Sequence, residues 1–193
     1  MALAHTARDH LQLDEVRWVP VGQAWQKTRV LTAARHRLAM AALAIEGELG
    51  FVLDPIETLR DGPSYTLNTV MALQTQLGRQ PGDEWFLIIG QDQYANLHTW
   101  HGWPELLSRV TLAVACRGSQ GLQPNLALRA APHQVRELPL PPLYVSSTDI
   151  RTRLARGEDV QSLVPAMVSF AVARYIATHQ LYASGHPPLN GHP

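Results

Sequence analysis

Apolar residues along this chain repeat in two ways, at intervals of three and four, or in short runs without polar alternation. Leu3, Ala7 and Leu11 have the helical interval, and residues 1–13 read as the back half of a helix. Residues 16–21 (VRWVPV) are a short β-rich run closed by Gly22. Thr32 is placed to cap a helix reaching about Ile45, with Leu38, Ala41, Ala42 and Ile45 on one face. Residues 51–53 predict a brief strand. Ser64 is placed to cap a second helix from Tyr65 to about Leu77, carrying Leu67, Val70, Met71 and Gln74 and closed by Gly78. Two runs, 85–89 (WFLII) and 110–115 (VTLAVA), are almost wholly apolar, and 135–138 predicts a last strand. Helices follow at about Thr148–Arg156 and at Pro165–His179. The second has Pro in its first turn and turns Val168, Val172, Tyr175 and Ile176 inward.

Strands without polar alternation belong in a parallel sheet, because helices cover both of its faces. Strand and helix alternate here at the spacing of a doubly wound α/β fold with right-handed crossovers. One domain over residues 1–183 is expected, followed by a disordered tail at 184–193, where Gly, Pro, His and Asn leave nothing to bury. In such sheets ligands bind at the carboxyl ends of the strands. Chemistry is therefore sought directly after each apolar run.

Composition narrows the partners. The 193 residues are 46% apolar and 17% charged, and suit a single core. Lys plus Arg equals Asp plus Glu at 16 each, so the chain lacks the basic excess of a nucleic-acid binder. An anionic ligand must then be held by local donors. A single cysteine, Cys116, excludes an internal disulfide and a thiolate-built zinc site. No apolar run approaches the roughly 20 residues that span a bilayer. The opening MALAHTARDH is too polar for a signal peptide, so a cytoplasmic protein without nucleic-acid or membrane partners is expected. Oligomeric state stays open, a homo-oligomer included.

Four segments carry candidate chemistry. In 145–151 (VSSTDIR), three hydroxyls stand before a helix and Arg151 lies three residues after Thr148, which together would cradle a phosphate. Equally, Ser146 or Ser147 is a plain N-cap and Arg151 a solvated side chain. In 88–92 (IIGQD), a buried strand ends in Gly90 and Asp92. The glycine admits close approach and the carboxylate suits ribose hydroxyls, unless Asp92 only caps the next helix. In 97–103 (LHTWHGW), Trp100 is placed to stack on a flat heterocycle. The histidines read better as structural than as metal ligands, since no third ligand is near. In 61–66 (DGPSYT), a turn delivers Tyr65 and Thr66 to a helix start suited to a carboxylate, though alone it reads as an ordinary turn and cap. Lys27 and Arg29 are loop cations, and Arg117 follows a strand directly. The chain has no GxxxxGK[ST], GxGxxG or GxSxG motif and no zinc spacing. Ser, Thr, Arg, Lys and Asp without a nucleophile–base pair fit phosphoryl or nucleotidyl transfer, which proceeds by positioning and charge stabilisation.

DGPSYT, FLIIGQD, Thr99-Trp100, 112–117 and SSTDIR stand in the order and spacing of bacterial nicotinate-nucleotide adenylyltransferases, which the chain resembles up to the tail. The closing Leu163-Val164-Pro165, Tyr175-Ile176 and His179–Tyr182 are similar to that family too. The resemblance implies a Rossmann-like nucleotidyltransferase sheet. It implies transfer of the adenylyl group of ATP to nicotinate mononucleotide with Mg2+ assisting, giving nicotinate adenine dinucleotide and pyrophosphate. It implies that Ser147, Thr148 and Arg151 hold the ATP phosphates, with Thr148 and Arg151 catalytic. Gly90 and Asp92 would line the nucleotide site and Arg117 would lie close to ATP. Trp100 would stack on the nicotinate ring, and Tyr65, Thr66 and the backbone of His101 would receive its carboxylate.

The sequence departs from the family pattern twice. A strand and a loop resembling GGxFDPxHxGH open the family, and this sequence starts inside the following helix. About 20 residues, a central strand among them, are expected to be missing through a misassigned start or shortened gene model, leaving bare edges, low stability and self-association. A PPHK-like loop is replaced by QAWQK at 23–27, which leaves Lys27 alone as an acceptor contact. Two other readings stay open: an adenylyltransferase acting on nicotinamide mononucleotide or phosphopantetheine, and an inactive nucleotide-binding protein.

Overall fold

The computed structural model describes residues 1–23, 31–117, 121–140 and 145–183, with the Arg117 side chain outside that description. Its contacts divide the chain into two units, Met1–Val16 with Gly62–Pro142 and Arg17–Asp61 with Leu143–Pro193. The expected tail at 184–193 lies outside the described residues.

The first unit is built on three parallel strands, β3 (Phe86–Gly90), β4 (Thr111–Arg117) and β5 (Val135–Leu140), with β4 in the middle. Register runs from Phe86 opposite Thr111 to Gly90 opposite Ala115, and from Leu112 opposite Val135 to Arg117 opposite Leu140. Alternation along β4 explains its sequence. Leu112, Val114 and Cys116 face a cluster with Leu67 and Val70 of α3 (Thr66–Gln76), Tyr94 of α4 (Gln91–Ala95), and Leu106 and Leu107 of α5 (Trp103–Arg109). Ala113 and Ala115 face the other side with Leu138 and with Ala7 of α1 (Ala2–Leu11). Large side chains fill one layer and small ones let α1 approach the other. The run reads as continuously apolar because helices cover both faces. The sheet flanked by helices on both sides confirms the α/β class. A short helix α6 (Leu126–Ala130), capped by the Asn125 side chain on the Ala127 N–H at 2.7 Å, joins β4 to β5.

The second unit contains Arg17 and Trp18 of β1 (Val16–Trp18), the strand that pairs with β2 (Phe51–Leu53), together with β2 itself and helices α2 (Ala34–Ile45), α7 (Ser147–Ala155) and α8 (Phe170–Thr178). Leu154, Val160, Leu163, Ala173 and Ile176 make its core. Arg17 Nη1 donates to Asp54 Oδ2 at 2.8 Å, and Asp54 Oδ1 accepts from the Ile56 N–H, so the pair fixes the chain leaving β2. Among the described residues no helix is long and apolar enough to cross a membrane.

Strands fall where the apolar runs put them; helix starts differ. Thr32 does not cap α2. Ala33 holds that place with no side-chain cap, and the Thr32 carbonyl accepts from Arg37 Nε at 2.8 Å while other Arg37 nitrogens bind the Val21 and Gly22 carbonyls. Ser64 is buried, Tyr65 occupies the N-cap of α3, and Gly78 closes the helix in the left-handed region at φ +66°. Pro165 does not begin α8. The chain turns there on Leu163, whose carbonyl accepts from Met167 N–H, and Ser169 caps the helix instead through Val172 N–H.

His36 of α2 is 8% exposed, and its Nδ1 shares a hydrogen bond of 2.9 Å with the Tyr175 hydroxyl of α8. Burial holds its pKa below the ordinary histidine value, with Arg35 and His179 pushing the same way. The unfolded chain therefore takes up a proton near pH 6.5 that the fold resists, so stability falls as pH drops through that region. Urea midpoints should fall between pH 7 and pH 5, and by less in His36→Gln; equal falls would remove His36 as the cause. In the first unit, Ala113→Leu should cost about 1–3 kcal/mol by overfilling the layer against α1. A chemical-denaturation midpoint equal to wild type would show that layer to be loose.

Candidate functional site

In the second unit the candidate residues gather at the start of α7. Ser146 takes the N-cap, its Oγ accepting from the Asp149 N–H at 3.0 Å. The capping alternative is thus met by Ser146 alone. Ser147 and Thr148 lie within the first turn rather than before it, since the helix begins one residue earlier than the spacing suggested. Both are exposed. Arg151, one turn on, donates from Nη2 to Thr148 Oγ1 at 3.2 Å, so guanidinium and hydroxyl are presented together at the helix mouth. First-turn N–H groups carry no intrahelical partner and sit at the positive end of the helix dipole, which favours an anion there.

Arg153 looks equivalent in sequence but is used differently. Its Nε and Nη2 grip both oxygens of Glu158 at 2.8 and 2.5 Å, and Glu158 also accepts from Ser162 Oγ. The Arg153 fork and the Ser162 hydroxyl hold the Glu158 carboxyl down to about 2. Two residues apart on a helix, Arg151 and Arg153 project to opposite sides. One locks the end of α7; the other is presented at its beginning.

In the first unit, Gly90 ends β3 and serves as the N-cap of α4 with no side-chain cap. Asp92 therefore does not cap that helix, and its carboxylate stands exposed in the first turn. Gly90 has an ordinary φ of −85°, and a Cβ added there would meet nothing within 4 Å. The protein's own packing does not require glycine at this point, which leaves room for close approach by a ligand. Arg117 closes β4 opposite Leu140. Beneath α4 the buried Tyr94 hydroxyl hydrogen-bonds His133 Nε2 at 2.9 Å, while His133 Nδ1 lies 2.8 Å from the Ala131 carbonyl. A carbonyl only accepts, so Nδ1 carries the proton and Nε2 accepts from Tyr94.

Tyr65 and Thr66 sit at the N-terminus of α3, where Tyr65, in the N-cap position, gives no side-chain cap bond. The Tyr65 ring stacks on the His101 imidazole at 4.4 Å between centroids and 29° between planes. Their two loops, distant in sequence, are thereby joined. Trp100 follows the 3-10 turn Leu97–Thr99 and packs half-buried against the core. Gly102 comes next at φ +62°, where a Cβ would overlap Leu67 Cδ2, so this turn needs glycine on both counts. His98 Nε2 lies 3.4 Å from Asn125 Nδ2. Lys27 and Arg29 lie outside the described residues. The aromatic stack, the Tyr94–His133 bond and the side-chain contacts of Gln91 are absent from the sequence reading, since tertiary contact alone creates them.

Comparison with known proteins bears on the family and the fold. The family model described as cytidylyltransferase-like matches residues 1–153. A probable nicotinate-nucleotide adenylyltransferase of Methylibium petroleiphilum is 53% identical over 193 residues, covering 100% of this chain and 88% of the relative. Another from Bordetella pertussis is 41% identical, covering 94% and 89%. Among solved structures, Plasmodium falciparum nicotinic acid mononucleotide adenylyltransferase, complexed with APC, has a TM-score of 0.68 at 15% identity, covering 93% of this chain and 88% of that one. At that identity the likeness shows the fold alone. Relatives this similar over nearly their whole length settle the family, and the chain belongs to the nicotinate-nucleotide adenylyltransferases.

Proposed function

We propose that this chain transfers the adenylyl group of ATP to nicotinate mononucleotide in the cytoplasm, giving nicotinate adenine dinucleotide and pyrophosphate, with residues 1–183 as its α/β domain. In this reaction an oxygen of the acceptor's phosphate attacks the α-phosphorus of ATP. The bond from that phosphorus to the α,β-bridging oxygen breaks, and pyrophosphate leaves with the electron pair. Little covalent chemistry falls to the protein, so catalysis rests on positioning and on charge stabilisation.

The observation that carries the reading is the Thr148–Arg151 pair at the mouth of α7. Guanidinium donors and first-turn N–H groups suit the oxygens of a triphosphate, and Arg151 is assigned to the charge that builds as pyrophosphate departs. Ser147 and Thr148 add hydroxyl donors. Gly90 is assigned to close approach of the nucleotide, Asp92 to its ribose hydroxyls and Arg117 to its phosphates. The position of Tyr65 and Thr66 at the start of α3, with His101 stacked on Tyr65, supports them as receivers of the pyridine carboxylate, with the His101 backbone beside them. Trp100 is assigned to the ring face and Lys27 to the acceptor. Magnesium enters on the triphosphate, as part of the substrate, and supplies neutralisation of its oxygens. Among the described residues no group of three or more His, Cys, Asp or Glu side chains is gathered to hold a metal ion.

Pyrophosphate release from ATP and nicotinate mononucleotide tests the reading directly; no release with the acid acceptor, whether or not the amide is used, would overturn it. Arg151→Ala should lower turnover about 100-fold or more, as removal of a transition-state donor does, with the thermal midpoint preserved. An unchanged rate takes Arg151 out of the reaction. Trp100→Ala should raise KM for the acceptor about tenfold through loss of ring stacking, with KM for ATP held. Equal rises in both constants would assign Trp100 to packing.

A further inference from the structure

Gln91 stands between Gly90 and Asp92, where the hydrogen-bond ladder of β3 and β4 ends at Gly90 opposite Ala115. Past that point α4 turns away and backbone pairing stops. The Gln91 side chain continues the lateral tie. Its Nε2 donates to the Gln123 carbonyl at 3.0 Å, and its Oε1 accepts from the Gln123 N–H at 3.4 Å. The same Oε1 lies 3.6 Å from Sγ of Cys116, near the end of β4. A primary amide has the donor and acceptor of a peptide group, so it pairs with one residue's backbone as a neighbouring strand would. Only one orientation of the amide serves these contacts; the flipped one would set donor against donor and oxygen against oxygen.

The tie acts on the segment at Gln123 rather than on α4. That helix is held from beneath by the buried Tyr94 and its bond to His133. Resting on the adenylyltransferase reading, we propose that Gln91 is a positioning residue: its amide clamps the segment at Gln123 to the carboxyl edge of β3 and β4 and so sets the affinity for the nucleoside end of ATP. Gly90, with open space where a Cβ would stand, and the exposed Asp92, both assigned above to the nucleotide, flank Gln91 in sequence, so a nucleotide held by them would lie near the residue that ties the segment at Gln123.

Gln91→Leu keeps a branched side chain one bond shorter and removes both amide contacts. Hydrogen exchange at the Gln123 N–H is compared with calorimetric affinity for a non-hydrolysable ATP analogue and, separately, for nicotinate mononucleotide. Exchange should quicken and analogue affinity should fall about fivefold, as loss of one net hydrogen bond gives, with acceptor affinity and thermal midpoint unchanged. Gln91→Glu keeps the acceptor but sets a carboxylate against the Gln123 carbonyl, and should weaken the analogue at least as much. Unchanged exchange, or faster exchange with undiminished analogue affinity, overturns the inference. A parallel loss for both ligands with a lowered midpoint also overturns it, as that marks general packing. If the wild-type chain binds no analogue, the adenylyltransferase reading falls and the clamp with it. If the wild type binds and Gln91→Leu binds equally, the clamp alone falls.

Discussion

Burial of one strand on both faces governs the first unit. Leu112, Ala113 and Val114 of β4 are wholly inaccessible to solvent, so every neighbour must conform to their sizes. The alanines on one side fix how near α1 lies, and the larger side chains on the other carry α3, α4 and α5. A strand that cannot shift makes its carboxyl end a fixed reference. Gly90, Cys116 and Arg117 all take their positions from that reference through the β3–β4–β5 register.

The second unit divides labour between two arginines on one helix. Arg153 is committed to Glu158, whose carboxyl stays ionised down to about pH 2 because guanidinium and hydroxyl donors surround it. That pair secures the last turn of α7 without spending anything at the first. Ser146 does the capping, while Ser147 and Thr148 stand exposed in the first turn and Arg151 donates to Thr148. A motif that reads as a row of interchangeable hydroxyls thus has one structural member and two presented ones.

Strands were legible as apolar runs: the continuous burial of Leu112–Cys116 writes itself as continuous apolar sequence, and 51–53 and 86–90 are apolar although only Phe51 and Ile89 among them are buried. Helix starts were not, because a cap is chosen by competition between nearby groups. Thr32 lost to the reach of Arg37, and Pro165 to a turn anchored on the Leu163 carbonyl. Candidate residues were found where a motif joins a chemical type to a strand end or helix start, as at Gly90, Asp92 and Thr148. The Tyr65–His101 stack, the Tyr94–His133 bond and the Gln91 amide left no such trace. Their partners lie 32 to 39 residues away in the two hydrogen bonds, and no periodicity links residues that meet only in the fold.

Cys116 gives the molecule a built-in reporter. The thiol is buried on the large-residue face of β4, and burial pushes its pKa up, with Glu137 adding to the effect. A thiol kept protonated and covered is a poor nucleophile. As the chain's single cysteine, it leaves a thiol-selective reagent no competing thiol. The rate of labelling then measures how often the carboxyl end of the central strand opens to solvent.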